Sequence, residues 1–165
     1  YDKNGNLLTS AADPEYIAPH CKKYEDYDRV MDAGASSKNI YFIRYADLIL
    51  LYAECLLAEN DLAGAKQQVI RVRNRAKVST PITASNNTEM LDFIYEERMR
   101  ELGMEGWRRM DLIRRGADYF AAQVDKYNPF AKGNVQPYHA FYPIPTNEIN
   151  MNDGIGAEDQ NEGYK

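Results

Sequence analysis

The densest cluster of ionisable side chains in the sequence lies between residues 96 and 111. Two of its carboxylates, Glu97 and Glu101, are four residues apart, and glycoside hydrolases use two carboxyl groups about 5–10 Å apart as acid and base. On a helix, residues four apart share one face, where arginines of the same or the adjacent helix are the natural partners. We therefore interpret the cluster as a structural ion-pair network and treat a glycosidase as the weaker hypothesis.

Arg98 is the central residue of this predicted network. It lies on the apolar stripe of its helix, four residues from both Ile94 and Leu102, which carries a positive charge into partly buried surroundings. Because a buried charge needs an opposite charge, we expect Arg98 and Arg108 to pair with Asp111 or with the charged edge of the first long helix. The predicted network comprises Arg44, Asp47, Glu54, Glu97, Arg98, Arg108 and Asp111.

No other spacing in the sequence indicates catalysis or metal binding. His20 and His139 are far apart, and neither has a second ligand at a spacing typical of metal sites. Cys21 lies in a polar stretch and Cys55 lies within the first helix, so the two cysteines do not form a disulfide framework. The sequence also lacks a nucleophile elbow, a phosphate loop and a dinucleotide fingerprint. We expect a protein without a metal, a cofactor or enzymatic activity.

Besides the charged cluster, the sequence is rich in tyrosine, with thirteen tyrosines in 165 residues. Tyr16, Tyr24 and Tyr27 lie in the turn-rich first part of the chain, and an exposed tyrosine ring can stack against a sugar ring. These three residues are the candidates for ligand binding. The alternative is that most tyrosines fill the edges of helical packing, and the sequence leaves both interpretations open.

The composition narrows the class of function. A nucleic-acid-binding surface needs clustered cations, whereas this chain has a net charge of -5 and its arginines are interleaved with acids. No apolar run approaches the roughly 18 residues of a membrane span. An apolar content of 44% is enough for one real core. We expect residues 1–40 to form an irregular, turn-rich lead-in and residues 41–165 to form a helical domain.

Hydrophobic periodicity and turn signals predict a mainly α-helical fold. The expected helices span residues 41–59, 62–77, 87–104, 107–115 and 118–127. The first two must be antiparallel because their link is so short, and Asp61 is the expected cap of the second. After residue 138 we expect an extended tail, with Thr146 capping one short turn.

The first helix has apolar residues on two sides. One stripe runs through Ala46 and Leu50, and a second runs through Tyr45, Leu48 and Tyr52. A helix of this kind needs a partner on each side.

Several separated motifs follow one another in a fixed order. They are IRYADLILLYAE at 43–54, VRNRA at 72–76, IxxERxREL at 94–102, EGxRxxDLxRxG at 105–116, YPIP at 142–145 and QNxGY at 160–164. Together they resemble the C-terminal region of the SusD/RagB family, the surface glycan-binding lipoproteins of Bacteroidetes, over about residues 40–165. One departure is Glu162, where that family often has proline.

The resemblance implies a fold of tetratricopeptide-like helical hairpins with irregular loops, an extended C-terminal tail and a non-enzymatic role. Family members lie over a SusC-like TonB-dependent transporter of the outer membrane and capture oligosaccharides, or sometimes peptides, for import. The resemblance also implies a lipid anchor on a cysteine upstream of this chain, and we expect the family's N-terminal half to be missing from the sequence. We therefore expect one side of the first two helices to be exposed. The alternative function is a generic helical-repeat scaffold for protein interactions.

Overall fold

The computed structural model describes residues 22–24, 36 and 38–165. The chain divides into two units, Tyr1–Phe42 and Ile43–Lys165. The first contains a 3₁₀ turn at Lys22–Tyr24. Of the predicted lead-in, residues 22–24, 36 and 38–40 are described, and its other residues lie outside the described part of the chain.

The predicted mainly α-helical fold is confirmed, because the described part of the chain contains α-helices and no strand. In chain order, the helices are α1 (Tyr45–Ala58), α2 (Leu62–Arg75), α3 (Asn87–Glu101), α4 (Arg108–Arg114), α5 (Ala117–Tyr127) and α6 (Thr146–Met151). Two further 3₁₀ turns lie at Pro137–Ala140 and Ala157–Asp159. None of the helices in the described segments is long and apolar enough to cross a membrane.

The first three helices pack around one core. Leu50 and Ala53 of α1, Val69 of α2, and Met90 and Ile94 of α3 are fully buried in it. The Asp61 carboxylate caps α2 by accepting a hydrogen bond of 2.8 Å from the Gly64 amide, as predicted. The core therefore covers one stripe of α1.

The second stripe of α1 has no such cover. Tyr45, Leu48 and Tyr52 are each more than half exposed, and Cys55 is a free, exposed thiol. Among the described residues this side of α1 is thus exposed, in keeping with the expectation that one side of the first two helices lacks a partner. Cys21, the other cysteine, lies outside the described residues.

Some predicted helix ends need correction. Lys77 and Met104 have positive φ angles of 56° and 65°, which a right-handed helix cannot contain, so α2 and α3 end before them. Arg44 has an extended backbone and flanks α1 instead of belonging to it. Thr146 is the first residue of α6, and Pro145 precedes it without a side-chain cap, so the predicted capping role of Thr146 is wrong.

A second, smaller core lies between α4, α5 and the 3₁₀ turn at Pro137–Ala140. Its buried residues are Leu112, Phe120 and Ala140. The Arg109 guanidinium holds the turn against the helices, since it donates to the carbonyl oxygens of His139 and Ala140 at 3.0 and 2.9 Å. The turn then leads into the tail.

Candidate functional site

Arg98 lies at the meeting point of α1, α3 and α4, with a side chain only 2% exposed. Its guanidinium is 2.7 Å from the Asp47 carboxylate and donates to the Asp111 carboxylate at 2.9 Å. Burial lowers the pKa of Arg98, but the carboxylates of Asp111 and Asp47 raise it by more, so it lies above its ordinary value. One buried cation therefore joins two buried anions from two other helices.

Arg114 of α4 extends this cluster to the surface. It binds both oxygens of Glu54 at 3.0 and 3.1 Å and contacts Asp111 at 3.3 Å. The Tyr95 hydroxyl donates to Glu54 at 3.3 Å. Burial, and then the negative charge of Glu54, raise the pKa of Tyr95 to about 12. Arg114 is not part of the predicted network, although its spacing of three from Asp111 on one helix is a recognised pairing signal.

Arg44, which lies just before α1, forms ion pairs with two glutamates that are not part of the Arg98 cluster. It binds both oxygens of Glu105 at 2.9 and 3.0 Å, and it donates to the Glu101 carboxylate at 2.9 Å. The hydrogen bond with Glu105, and then that with Glu101, raises the pKa of Arg44 above its ordinary value in spite of partial burial. Arg75 of α2 also pairs with Glu101. These contacts tie the start of α1 to the end of α3.

Glu97 and Arg108 do not join the charged edge of α1. Glu97 is buried against α2, where it pairs with Arg73 at 3.0 Å, and it also pairs with Arg100 on its own helix at 2.8 Å. Arg108 donates to the backbone carbonyl of Tyr95 at 3.1 Å and forms no ion pair with any described residue. The prediction that Arg108 pairs with a carboxylate is therefore wrong. The ion pair between Glu97 and Arg73 was not predicted.

The two carboxylates considered for glycoside hydrolysis line one cleft of about 450 Å³. Glu97 contacts Arg73 and Arg100, and Glu101 contacts Arg44 and Arg75. Both side chains are at most 9% exposed. Carboxylates held by two arginines each are suited to joining helices, and the arrangement supplies no free acid and base facing a substrate.

Of the three tyrosines predicted to bind a ligand, only Tyr24 is among the described residues. Tyr16 and Tyr27 lie outside the described residues. Tyr24 is half-buried in the first 3₁₀ turn, with its ring centroid 6.2 Å from that of Tyr41. The structure thus places one of the three candidates beside another aromatic ring.

The histidines do not form a metal site in the described part of the chain. His20 lies outside it, and the Nδ1 atom of His139 accepts a hydrogen bond of 2.9 Å from the Gln136 amide. Among the described residues, no group of three or more histidine, cysteine, aspartate or glutamate side chains could hold a metal ion.

The C-terminal motif binds the extended segment that follows the last core residue. The Gln160 side chain accepts from the Ile144 amide at 2.7 Å and donates to the Ile144 carbonyl at 2.9 Å. The Asn161 side chain donates to the Tyr142 carbonyl at 2.6 Å. These side chains thus satisfy the backbone groups that a neighbouring strand would satisfy in a sheet.

Two further contacts complete this attachment. The Tyr164 hydroxyl donates to the Phe141 carbonyl at 3.1 Å, and the rings of Tyr164 and Tyr138 meet edge to face at 5.0 Å. Gly163 has a φ of 87° and lies against the Tyr138 ring, where any Cβ would overlap the ring. We call Gln160, Asn161 and Tyr164 the tail clasp.

A cleft of about 730 Å³ lies beside the tail clasp. It combines two aromatic rings, two amides and one carboxylate with small apolar groups. We call it the tail cleft, and its lining consists of Ala117, Gln136, Pro137, Tyr138, Phe141, Asn161, Glu162 and Gly163. Sequence reasoning missed it, since the motif at 160–164 indicated a family without indicating what the motif contacts.

Comparison with known proteins gives a match to the model of the SusD family over residues 1–164. The chain belongs to the SusD family. The SusD match includes residues 1–40, which the motif resemblance left out.

Individual SusD relatives match as well. The chain is 34% identical over 134 residues to SusD-like protein P25 of Formosa agariphila, covering 78% of the chain and 25% of that protein. It is 32% identical over 142 residues to the starch-binding protein SusD of Bacteroides thetaiotaomicron, covering 82% of the chain and 23% of that protein. The chain thus spans about a quarter of the length of these curated relatives. The comparison with solved structures gave no match.

Proposed function

We propose that this chain is part of a non-enzymatic, surface-exposed nutrient-binding lipoprotein of the outer membrane. It captures oligosaccharides, or alternatively peptides, for import through a SusC-like TonB-dependent transporter. The observation that carries the proposal is the similarity to a relative named as a starch-binding protein, at 32% identity over 142 residues. Membership of the SusD family supports it further.

The geometry is in keeping with binding rather than catalysis. The strongest candidate carboxylates, Glu97 and Glu101, are both held by arginines. The described residues also contain an open cleft with aromatic and amide groups, which is the chemistry that recognises sugars through ring stacking and hydrogen bonds.

Calorimetric titration of the full-length protein tests ligand capture. The titrants are a panel of neutral oligosaccharides, acidic oligosaccharides and peptides. We expect heat of binding with at least one oligosaccharide and no hydrolysis of it. The absence of heat with every titrant would contradict the proposed function. Hydrolysis of a bound oligosaccharide by the unaltered protein would contradict its non-enzymatic part, and unchanged hydrolysis in a Glu97→Gln variant would exclude Glu97 as the group responsible.

Affinity capture from outer membranes tests the proposed partner. We expect the full-length protein to retain a TonB-dependent transporter. The scaffold alternative is favoured by the exposed apolar stripe of α1, where Tyr45, Leu48 and Tyr52 are each more than half exposed. Recovery of a soluble partner without a transporter would support that alternative and count against transport.

A further inference from the structure

We infer that the tail cleft is a saccharide-binding subsite that accepts neutral sugars and disfavours acidic ones. This inference rests on the proposed function, glycan capture, and adds to it a location and a class of sugar. Phe141 supplies the stacking surface, while Glu162 sets the charge of the site.

The cleft is held in its shape before any ligand arrives. Gln160 fixes both backbone groups of Ile144, at 2.7 and 2.9 Å, and Tyr164 fixes the Phe141 carbonyl at 3.1 Å. The other wall is the 3₁₀ turn, which Arg109 fastens through two backbone carbonyls. A preformed site avoids the entropy cost of ordering loops when a ligand binds.

The aromatic surface of the cleft is available to a ligand. Phe141 is 57% exposed, whereas its backbone carbonyl is held by Tyr164 of the tail clasp. Tyr138 is half-buried, since Gly163 lies against its ring. An exposed ring on a fixed backbone can cover the apolar face of a sugar ring at little conformational cost.

The polar groups of the cleft retain capacity for hydrogen bonds. The Asn161 amide donates to the Tyr142 carbonyl, but its Oδ1 accepts no hydrogen bond from the described residues. The Glu162 carboxylate forms neither a hydrogen bond nor an ion pair within the described part of the chain. Both groups can accept hydrogen bonds from sugar hydroxyls.

The charge of the lining determines which sugars fit. Glu162 is the single charged residue among those that line the cleft, and no arginine or lysine is among them. A uronate or a sulfated sugar would bring a second negative charge beside this carboxylate, and the residues of the lining supply no cation to compensate. A neutral sugar meets no such repulsion. The volume of about 730 Å³ also lies within the range of about 300–1,000 Å³ typical of small-ligand sites.

Paired phenylalanine variants of the full-length protein test the location. The probes are the neutral malto-, cello-, xylo- and mannohexaoses, measured by calorimetry. For a probe that binds, we expect Phe141→Ala to weaken the affinity by about tenfold or more, because truncation of a central aromatic contact typically has an effect of this order. Phe130→Ala is the matched control, since Phe130 is 94% exposed and does not line the cleft. Phe141→Tyr keeps the ring and should keep the affinity.

The outcomes separate this inference from the proposed function. Unchanged affinity in a folded Phe141→Ala variant would overturn the subsite and leave glycan capture standing. Binding of none of the oligosaccharides would overturn the subsite, and binding of neither oligosaccharides nor peptides would overturn the proposed function as well. Loss of binding in Phe141→Ala and Phe141→Tyr alike would also contradict a stacking role. If neutral peptides bind with the same dependence on Phe141 and the sugars do not, the cleft is a peptide site and the saccharide inference is wrong.

A charge variant tests the selectivity. The acidic probe is hexagalacturonate, which we expect to bind more weakly than the neutral probes. Glu162→Gln should narrow this difference by strengthening the binding of the acidic probe. Glu59→Gln is the control, because it removes one exposed carboxylate outside the cleft and should leave the difference unchanged. Equal effects of the two variants, or tighter binding of the acidic probe by the unaltered protein, would overturn the charge argument.

Discussion

Removing the buried cation of Arg98 should destabilise the protein far more than removing a surface cation. The side chains of Arg98, Asp47 and Asp111 are at most 5% exposed, and both carboxylates lie within 2.9 Å of the guanidinium. Breaking a buried ion pair on one side typically costs about 3–5 kcal/mol because an uncompensated charge remains buried. Such a cost is a large part of a typical total stability of about 5–15 kcal/mol.

Most of the stability lost in Arg98→Met should come from one of the two carboxylates, which stays buried without a cation. In Arg98→Met, Asp111 keeps a contact of 3.3 Å with Arg114, whereas the described ion pairs give Asp47 no second cation. Adding Asp47→Asn removes the stranded charge while keeping the size of the side chain. We therefore expect the double variant to regain at least about 1 kcal/mol relative to Arg98→Met.

Urea unfolding followed by the helical circular dichroism signal measures these differences, with the free energy of unfolding obtained by linear extrapolation. Arg75→Met is the matched control, since the Arg75 side chain is 64% exposed although it pairs with Glu101. An exposed pair typically contributes about 0–1 kcal/mol. The reasoning would be refuted if both methionine variants lost the same stability, or if Asp47→Asn made Arg98→Met less stable.

Three further predictions concern single contacts. Gln160→Ala should speed hydrogen exchange at the Ile144 amide by about five- to a hundredfold, because that amide loses its hydrogen-bond acceptor at 2.7 Å. Unchanged exchange would contradict the role of Gln160 in the tail clasp. Tyr95 should ionise near pH 12 instead of the ordinary 10.0, so it favours folding fully below pH 10 and loses that contribution as the pH rises towards 12. Phenolate absorbance of the protein and of Tyr95→Phe measures this, and an ordinary value would contradict the burial beside Glu54. Asp61→Ala should cost about 0.5–2 kcal/mol in urea unfolding as the cap of α2 is lost, and no cost would contradict that role.

The positions of the first three helices could be predicted because each has a long apolar stripe and a clear terminal signal. Asp61 is such a signal, and its side chain does cap α2. The ends of these helices were less predictable. Met104, for example, has a positive φ angle, which methionine rarely adopts and which the sequence therefore does not indicate. That Arg98 needs buried acids could also be predicted, because an arginine on an apolar stripe has few alternatives.

The remaining contacts of the site depend on tertiary geometry. Glu97 faces α2 because of the way in which α2 and α3 pack, and helical spacing alone does not specify this. The tail clasp joins residues 16–23 positions apart through hydrogen bonds from side chain to backbone, which leave no periodic pattern. Its motif could be recognised from the sequence, but its role depends on the tertiary structure.

The tail motif combines a structural and a selective role in five residues. Gln160, Asn161 and Tyr164 hold the extended segment, and Gly163 makes room for the Tyr138 ring, so substitution of any of these would disturb the fold locally. Glu162 lies among them and makes no described hydrogen bond, either through its side chain or through its amide. Proline, which the family often has here, lacks the backbone N–H group. At this position it would therefore remove none of the described hydrogen bonds. Residue 162 can thus change the charge of the tail cleft while the clasp keeps its shape, which is why we expect selectivity among sugars to respond to this position.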